Sequence, residues 1–266
     1  MQKALEMVLK TIGLYGLFLF LAVVPIFFVP NMDLFVIQEI AMIVSVLIFY
    51  YGFEKQKGWT LGLKQPKCFL LFLMGALFGI ILMAIAFGLI VILGGVEITG
   101  IEWNPEIGRA IVYWLFLFFL VALAEEIFAR GYLFGLVKYL YAPKKVAVIV
   151  SAVVFALLHS FNANVWSNVI PMLELFFAGV LFAMLRQVSG GLWMPIGLHL
   201  TWNFFQGPIF GFEVSGLEVP SLFHIKKVGH PLISGGAFGV EGSVISIVLS
   251  LLSIWGIYLY GRKKID

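Results

Sequence analysis

The chain has 266 residues, 62% hydrophobic and only 12% charged, with a formal net charge of +3 and a mean hydropathy of +1.07. Soluble domains are roughly 45–50% apolar and about 25% charged, so a soluble enzyme, a disordered chain and a nucleic-acid binder are excluded. The basic residues are spread among loops and imply no polyanionic partner. The single cysteine, Cys68, rules out an intrachain disulfide and a cysteine metal cluster.

A spanning helix needs about 20 mostly apolar residues. Such runs lie near Thr11–Val29, Leu34–Tyr51, Cys68–Leu93, Arg109–Val137, Val146–Phe161, Ser167–Leu185, Leu192–Phe205 and Ser243–Tyr260. They predict an all-α polytopic membrane protein of about eight transmembrane helices. The first run follows Lys3 and Lys10; it is too long for a signal peptide and no small-residue cleavage site follows, so it is expected to remain as a span. Gly75/Gly79 and Gly131/Gly135 are small-xxx-small pairs suited to close helix packing. The longest loop, Gln206–Gly242, carries several glycine turn signals.

Charges in the connections set an expected orientation. Lys3, Lys10, Lys55, Lys57, Lys64, Lys67, Lys138, Lys144, Lys145, Arg186, Arg262, Lys263 and Lys264 fall at the N-terminus, in every second loop and in the tail. The alternate loops hold Glu97, Glu102, Glu106, Glu213 and Glu218 against Arg109, Lys226 and Lys227. Both termini are therefore expected in the cytoplasm.

Ionisable residues within spans are costly and point to function. They are Glu125, Glu126 and Arg130 on the fourth run, His159 on the fifth, Glu174 on the sixth, and His199 with the polar Asn203 on the seventh; Glu39, early in the second, is expected near the interface and receives no role. Glu125 precedes Lys138 by 13 residues, His159 follows Lys145 by 14, and His199 follows Arg186 by 13. At 1.5 Å per residue all three lie about 20 Å from the same membrane edge, which suggests one shared site. Glu126 and Arg130, four apart, share a helix face and can pair as a structural ion pair, while Glu125 is turned about 100° away. The competing reading is that both carboxylates serve Arg130. His199 and Asn203 also lie on one face. Glu174 is read as a buried, protonated acid bonded to a backbone carbonyl.

A carboxylate with a histidine can activate a water, and a second histidine with an amide can donate to an oxyanion. The set would thus hydrolyse an acyl bond, such as a peptide bond, inside a membrane. The same Glu125, His159 and His199 also form a two-histidine, one-carboxylate set open to a metal such as zinc. No H-E-x-x-H pair, G-x-S-x-G elbow or phosphate-binding G-x-x-x-x-G-K-[ST] loop occurs, and the only aspartates are Asp33 and Asp266, both outside the spans.

These residues fall into three ordered motifs. Residues 125–130 read EEIFAR and resemble the E-E-x-x-x-R motif of the CPBP family, the CAAX proteases and bacteriocin-processing enzymes also called the Abi family. That family includes the type II CAAX prenyl endopeptidases. Phe155–His159 resembles its F-x-x-x-H motif, His199–Asn203 its H-x-x-x-[ND] motif, and Gly190–Ile196 its entry to the last motif helix. The resemblance implies three regions: an N-terminal three-span part (1–108), a catalytic core (109–207), and an outer loop with the last span (208–266). It implies catalytic roles for Glu125 as general base with His159, an oxyanion site from His199 and Asn203, and a stabilising Glu126–Arg130 pair. It also implies a membrane-embedded or lipidated peptide substrate. No cofactor is favoured, and zinc enters only if Glu125, His159 and His199 hold a metal. The compact chain points to a bacterial plasma membrane. The rivals are an ion- or proton-coupled transporter, for which no inverted repeat is visible, and a non-catalytic immunity-type protein.

Overall fold

The computed structural model describes residues 2–28, 33–141 and 143–265; Val29, the expected end of the first run, and Asp266 lie outside them. In chain order the elements are α1 (Gln2–Val23), α2 (Leu34–Phe49), α3 (Cys68–Ile92), β1 (Val96–Ile101), α4 (Pro105–Glu126), a π-helical stretch (Ile127–Leu133), α5 (Phe134–Tyr141), α6 (Lys144–Leu158), α7 (Ile170–Ser189), α8 (Trp193–Phe204), a π turn (Phe205–Ile209), β2 (Phe223–Lys227), α9 (Pro231–Ser234) and α10 (Val244–Ile265). The helix starts follow local chemistry. Asp33 caps α2 by accepting from the Phe35 and Val36 amides at 3.1 and 3.2 Å. Asn104 caps α4 through Glu106 N and Ile107 N at 2.9 and 2.8 Å, with Pro105 at the first helical position.

Among the described residues, seven helical segments are long and apolar enough to cross a membrane. Leu9, Ile12, Phe20, Leu73, Leu77 and Ile81 are exposed, as a lipid-facing surface requires and a soluble protein avoids. The chain is an all-α polytopic membrane protein. Of the eight expected helices, the seventh apolar run is the one that is not among these seven segments. It forms α8, of only 12 residues, continued by the five-residue π turn. Every residue of α8 from Pro195 to Asn203 is buried, so α8 faces protein and its length need not match the lipid.

Glycines bring α3 against α8. A Cβ at Gly75 would lie 2.0 Å from Met194 O, one at Gly79 2.2 Å from Thr201 Oγ1, and one at Gly197 2.2 Å from Phe72 O. Thr201 Oγ1 donates across the seam to Ala76 O at 2.9 Å. Gly131 and Gly135 serve a different purpose from the one expected. Their nearest neighbours are Leu61 and Trp59, so they seat a loop rather than a helix.

The outer loop is also more ordered than its turn signals imply. β2 pairs antiparallel with β1, matching Val96 to Lys227 and Ile101 to Phe223. The largest buried apolar cluster runs from Leu14 to Leu249 and draws on all the long helices.

Candidate active site

The last turn of α4 presents Glu125 and Glu126, and the helix then widens into the π-helical stretch. All seven π-stretch residues are buried; such widened turns often mark functional sites. Arg130 is fully buried. Its Nη1 donates to Glu126 Oε1 at 2.7 Å and its Nη2 to Gly179 O at 3.4 Å. Its guanidinium Cζ lies 4.1 Å from the Phe155 ring centre and 4.9 Å from that of Phe182, so two aromatic faces cover the cation.

Glu126 has a second partner that helical spacing does not reveal. Its Oε1 lies 3.2 Å from His199 Nδ1. A carboxylate only accepts, so Nδ1 carries the proton and donates. The His199 ring stacks on Phe182, with centres 5.0 Å apart and planes at 18°. His159, at the end of α6, turns Nδ1 to Phe155 O at 2.8 Å. A carbonyl also only accepts, so in neutral His159 the Nε2 lone pair is left for other partners. Both Nε2 atoms face one oxygen: Glu125 Oε2 is 3.9 Å from His159 Nε2 and 3.8 Å from His199 Nε2. That oxygen has no hydrogen-bond partner among the described residues.

These side chains line a cavity of about 430 Å³. Asn203, one turn beyond His199, lines it as well. The walls are more extensive than the three motif helices: Tyr15 from α1, Phe35 and Glu39 from α2, and Ser215 and Gly216 from the outer loop also contribute. Glu39 is therefore a buried cavity residue rather than an interfacial one, because α2 turns that face toward α4. Glu174 also lines the cavity. Its partner is a side chain, not the expected backbone carbonyl: Ser250 Oγ of α10 donates to Oε1 at 2.7 Å.

Glu241 was missed by sequence reasoning because it lies in a loop between apolar segments. It accepts from Gln206 Nε2 and, at 3.3 Å, from Trp202 Nε1. Burial pushes its carboxyl above the usual range, against the lowering effect of these bonds. This network ties the end of α8 to the outer loop. His224 and His230 stay apart from the cavity. His224 Nε2 pairs with Glu102 Oε2 at 2.8 Å on the surface, and His230 Nδ1 accepts from Leu232 N at the start of α9.

The donor types would suit zinc, since each histidine holds its other nitrogen on an acceptor. Glu125 Oε2 lies 3.9 and 3.8 Å from the two Nε2 atoms, about half an ångström beyond the roughly 3.3 Å between ligand atoms of a tetrahedral zinc. Among the described residues, no three His, Cys, Asp or Glu side chains form a metal-holding group.

The segment from α4 through α8 also matches a known family. Residues 107–205 match the family described as type II CAAX prenyl endopeptidase Rce1-like. No curated protein matches the chain. The matched segment contains all three motifs, and the surrounding helices are those of a membrane protein. Over residues 107–205 the chain is therefore similar to the type II CAAX prenyl endopeptidase Rce1-like family.

Proposed function

We propose that the protein is an intramembrane endopeptidase that hydrolyses a peptide bond with a water activated by Glu125 and His159, without a metal. The observation that carries this reading is the placing of Glu125 Oε2 3.9 and 3.8 Å from two imidazole Nε2 atoms. Those gaps are too long for direct hydrogen bonds and leave room for one water to bridge the carboxylate and an imidazole.

In this reading Glu125 takes a proton from the water while His159 Nε2 orients it. The hydroxide adds to the scissile carbonyl carbon, and negative charge gathers on the carbonyl oxygen. His199 Nδ1 donates to Glu126; with a proton also on Nε2, that N–H and the Asn203 amide donate to the oxyanion. Collapse breaks the C–N bond, and protonated Glu125 returns its proton to the leaving amine. The Glu126–Arg130 pair holds the His199 carboxylate partner in place.

The substrate is a membrane-embedded or lipidated peptide, entering a largely apolar cavity from the bilayer. The charge pattern supports cytoplasmic termini. The test is cleavage of a membrane-peptide library by purified protein in detergent, with and without chelator, beside Glu125→Gln. Chelator-resistant cleavage that Glu125→Gln abolishes is expected. Stoichiometric zinc in the wild type that vanishes in His199→Ala would overturn the metal-free mechanism.

A further inference from the structure

A second pocket, of about 600 Å³, lies away from the catalytic cavity, where the loop after α2, the turn between α5 and α6 and the end of α7 converge. Lys57, Lys138, Lys144 and Arg186 line it, and no Asp or Glu does. Lys57 is held by Glu6 and Glu54 at 3.3 and 3.2 Å, so its charge is partly answered. Arg186 is different. Its described hydrogen bonds run to backbone carbonyls only: Arg130 O, Thr60 O at 3.0 Å and Leu61 O at 3.5 Å. These bonds fix the guanidinium without neutralising it. Lys138 is exposed on the rim. Lys144 opens α6, whose first turn has no side-chain cap, so the positive end of that helix adds to the field.

Two further observations separate this pocket from an ordinary basic surface. Trp59 Nε1 and the Gln187 amide both belong to pocket-lining residues, are shielded from solvent, and have no hydrogen-bond partner among the described residues. Shielded polar groups in native proteins are nearly always satisfied. A ligand with acceptor oxygens and negative charge would answer both the orphaned donors and the cations. By the positive-inside rule, this end of the bundle meets the anionic leaflet, and basic pockets between spanning helices are where anionic headgroups bind.

We propose that this pocket binds a phosphate group, supplied by the headgroup of an anionic phospholipid or by free phosphate. Arg186 and Lys138 carry the charge, and Trp59 and Gln187 supply neutral hydrogen bonds. Arg186 also donates to Arg130 O, so the occupied pocket braces the segment that bears the buried ion pair.

The experiment titrates the full-length protein, in an uncharged maltoside detergent, with short-chain phosphatidylglycerol, short-chain phosphatidylcholine and inorganic phosphate, read by calorimetry. Saturable binding of phosphatidylglycerol, with phosphatidylcholine at least 10-fold weaker, is expected. Binding of inorganic phosphate with equal affinity would identify free phosphate as the source; its failure alone would identify the lipid. Lys138→Gln with Lys144→Gln should weaken binding about 10-fold or more, since each lysine near an anionic surface contributes roughly fivefold. Lys138→Glu alone, at an exposed position that folding does not need, should weaken it in the same direction. Equal binding of the two lipids, no binding of either anion, or unchanged affinity in both variants would overturn the proposal.

Discussion

The seam between α3 and α8 and the cavity between α4, α6 and α8 share one helix but are built from opposite materials. In the seam, glycines let backbone meet backbone, and the principal polar link is Thr201 to Ala76 O. In the cavity, the same helix presents His199 and Asn203 to carboxylates, a buried arginine and aromatic faces. Close van der Waals packing fixes α8 on one side, so the polar side need not provide the rigidity itself. Catalytic groups must be held to within about half an ångström. The seam is what permits loosely spaced groups, such as Glu125 and its two histidines, to keep one geometry.

The largest effect should come from the chemical side. Glu125→Gln keeps the shape of the side chain and removes the base, so cleavage should fall by about 10²–10⁴ with the thermal midpoint almost unchanged. A variant that cleaves normally would leave the cavity without its assigned base. Asn203→Ala should slow turnover by about 10²–10³ without abolishing substrate binding; unchanged turnover would remove the oxyanion role.

Stability should divide the two glutamates. Glu126→Ala leaves fully buried Arg130 without its carboxylate and should cost about 3–5 kcal/mol. Glu125→Ala should cost much less, because Glu125 is partly exposed to the cavity. Equal melting of the two variants in the same detergent would contradict that division.

The seam is probed by Gly79→Ala. Its Cβ would meet Thr201 Oγ1 at 2.2 Å and Leu198 O at 2.6 Å, so the helices must part, at about 1–3 kcal/mol. Reduced turnover alongside lower stability is expected, because His199 moves with α8. Full activity at lowered stability would show that the two faces are independent.

The smallest effect concerns Asp33. The Tyr113 hydroxyl donates to it at 2.6 Å and, with the two helix-cap amides, holds its carboxyl below the usual range. A depressed pKa contributes stability above the unfolded value and loses it as pH falls through the folded one. Asp33→Ala should therefore cost about 1 kcal/mol at neutral pH, and the difference from wild type should vanish under strong acid. A difference that persists there would assign the effect to something other than the ionised cap.

How legible the site was depended on which residues carried it. The apolar runs stood out because a bilayer demands about 20 apolar residues per crossing, and Glu125, His159 and His199 stood out because charge is expensive there. Their common depth followed from helical rise alone. Glu39 and Glu174 were visible as anomalies, yet their partners were not, since partners come from other helices. Glu241 and Gln206 gave no signal, because a polar residue in a loop is unremarkable until the loop folds back over the cavity.

Composition and periodicity by themselves determined that this is a helical membrane protein with a buried set of acids and histidines, because those properties depend on local chain and solvent. Tertiary structure decided the rest. It made the seventh run a short internal helix, gave Glu126 a second role against His199, and set the 3.8 and 3.9 Å gaps around Glu125. Helix-to-helix distance and rotation are fixed by which side chains interdigitate across the whole bundle, and no local stretch of sequence contains that information.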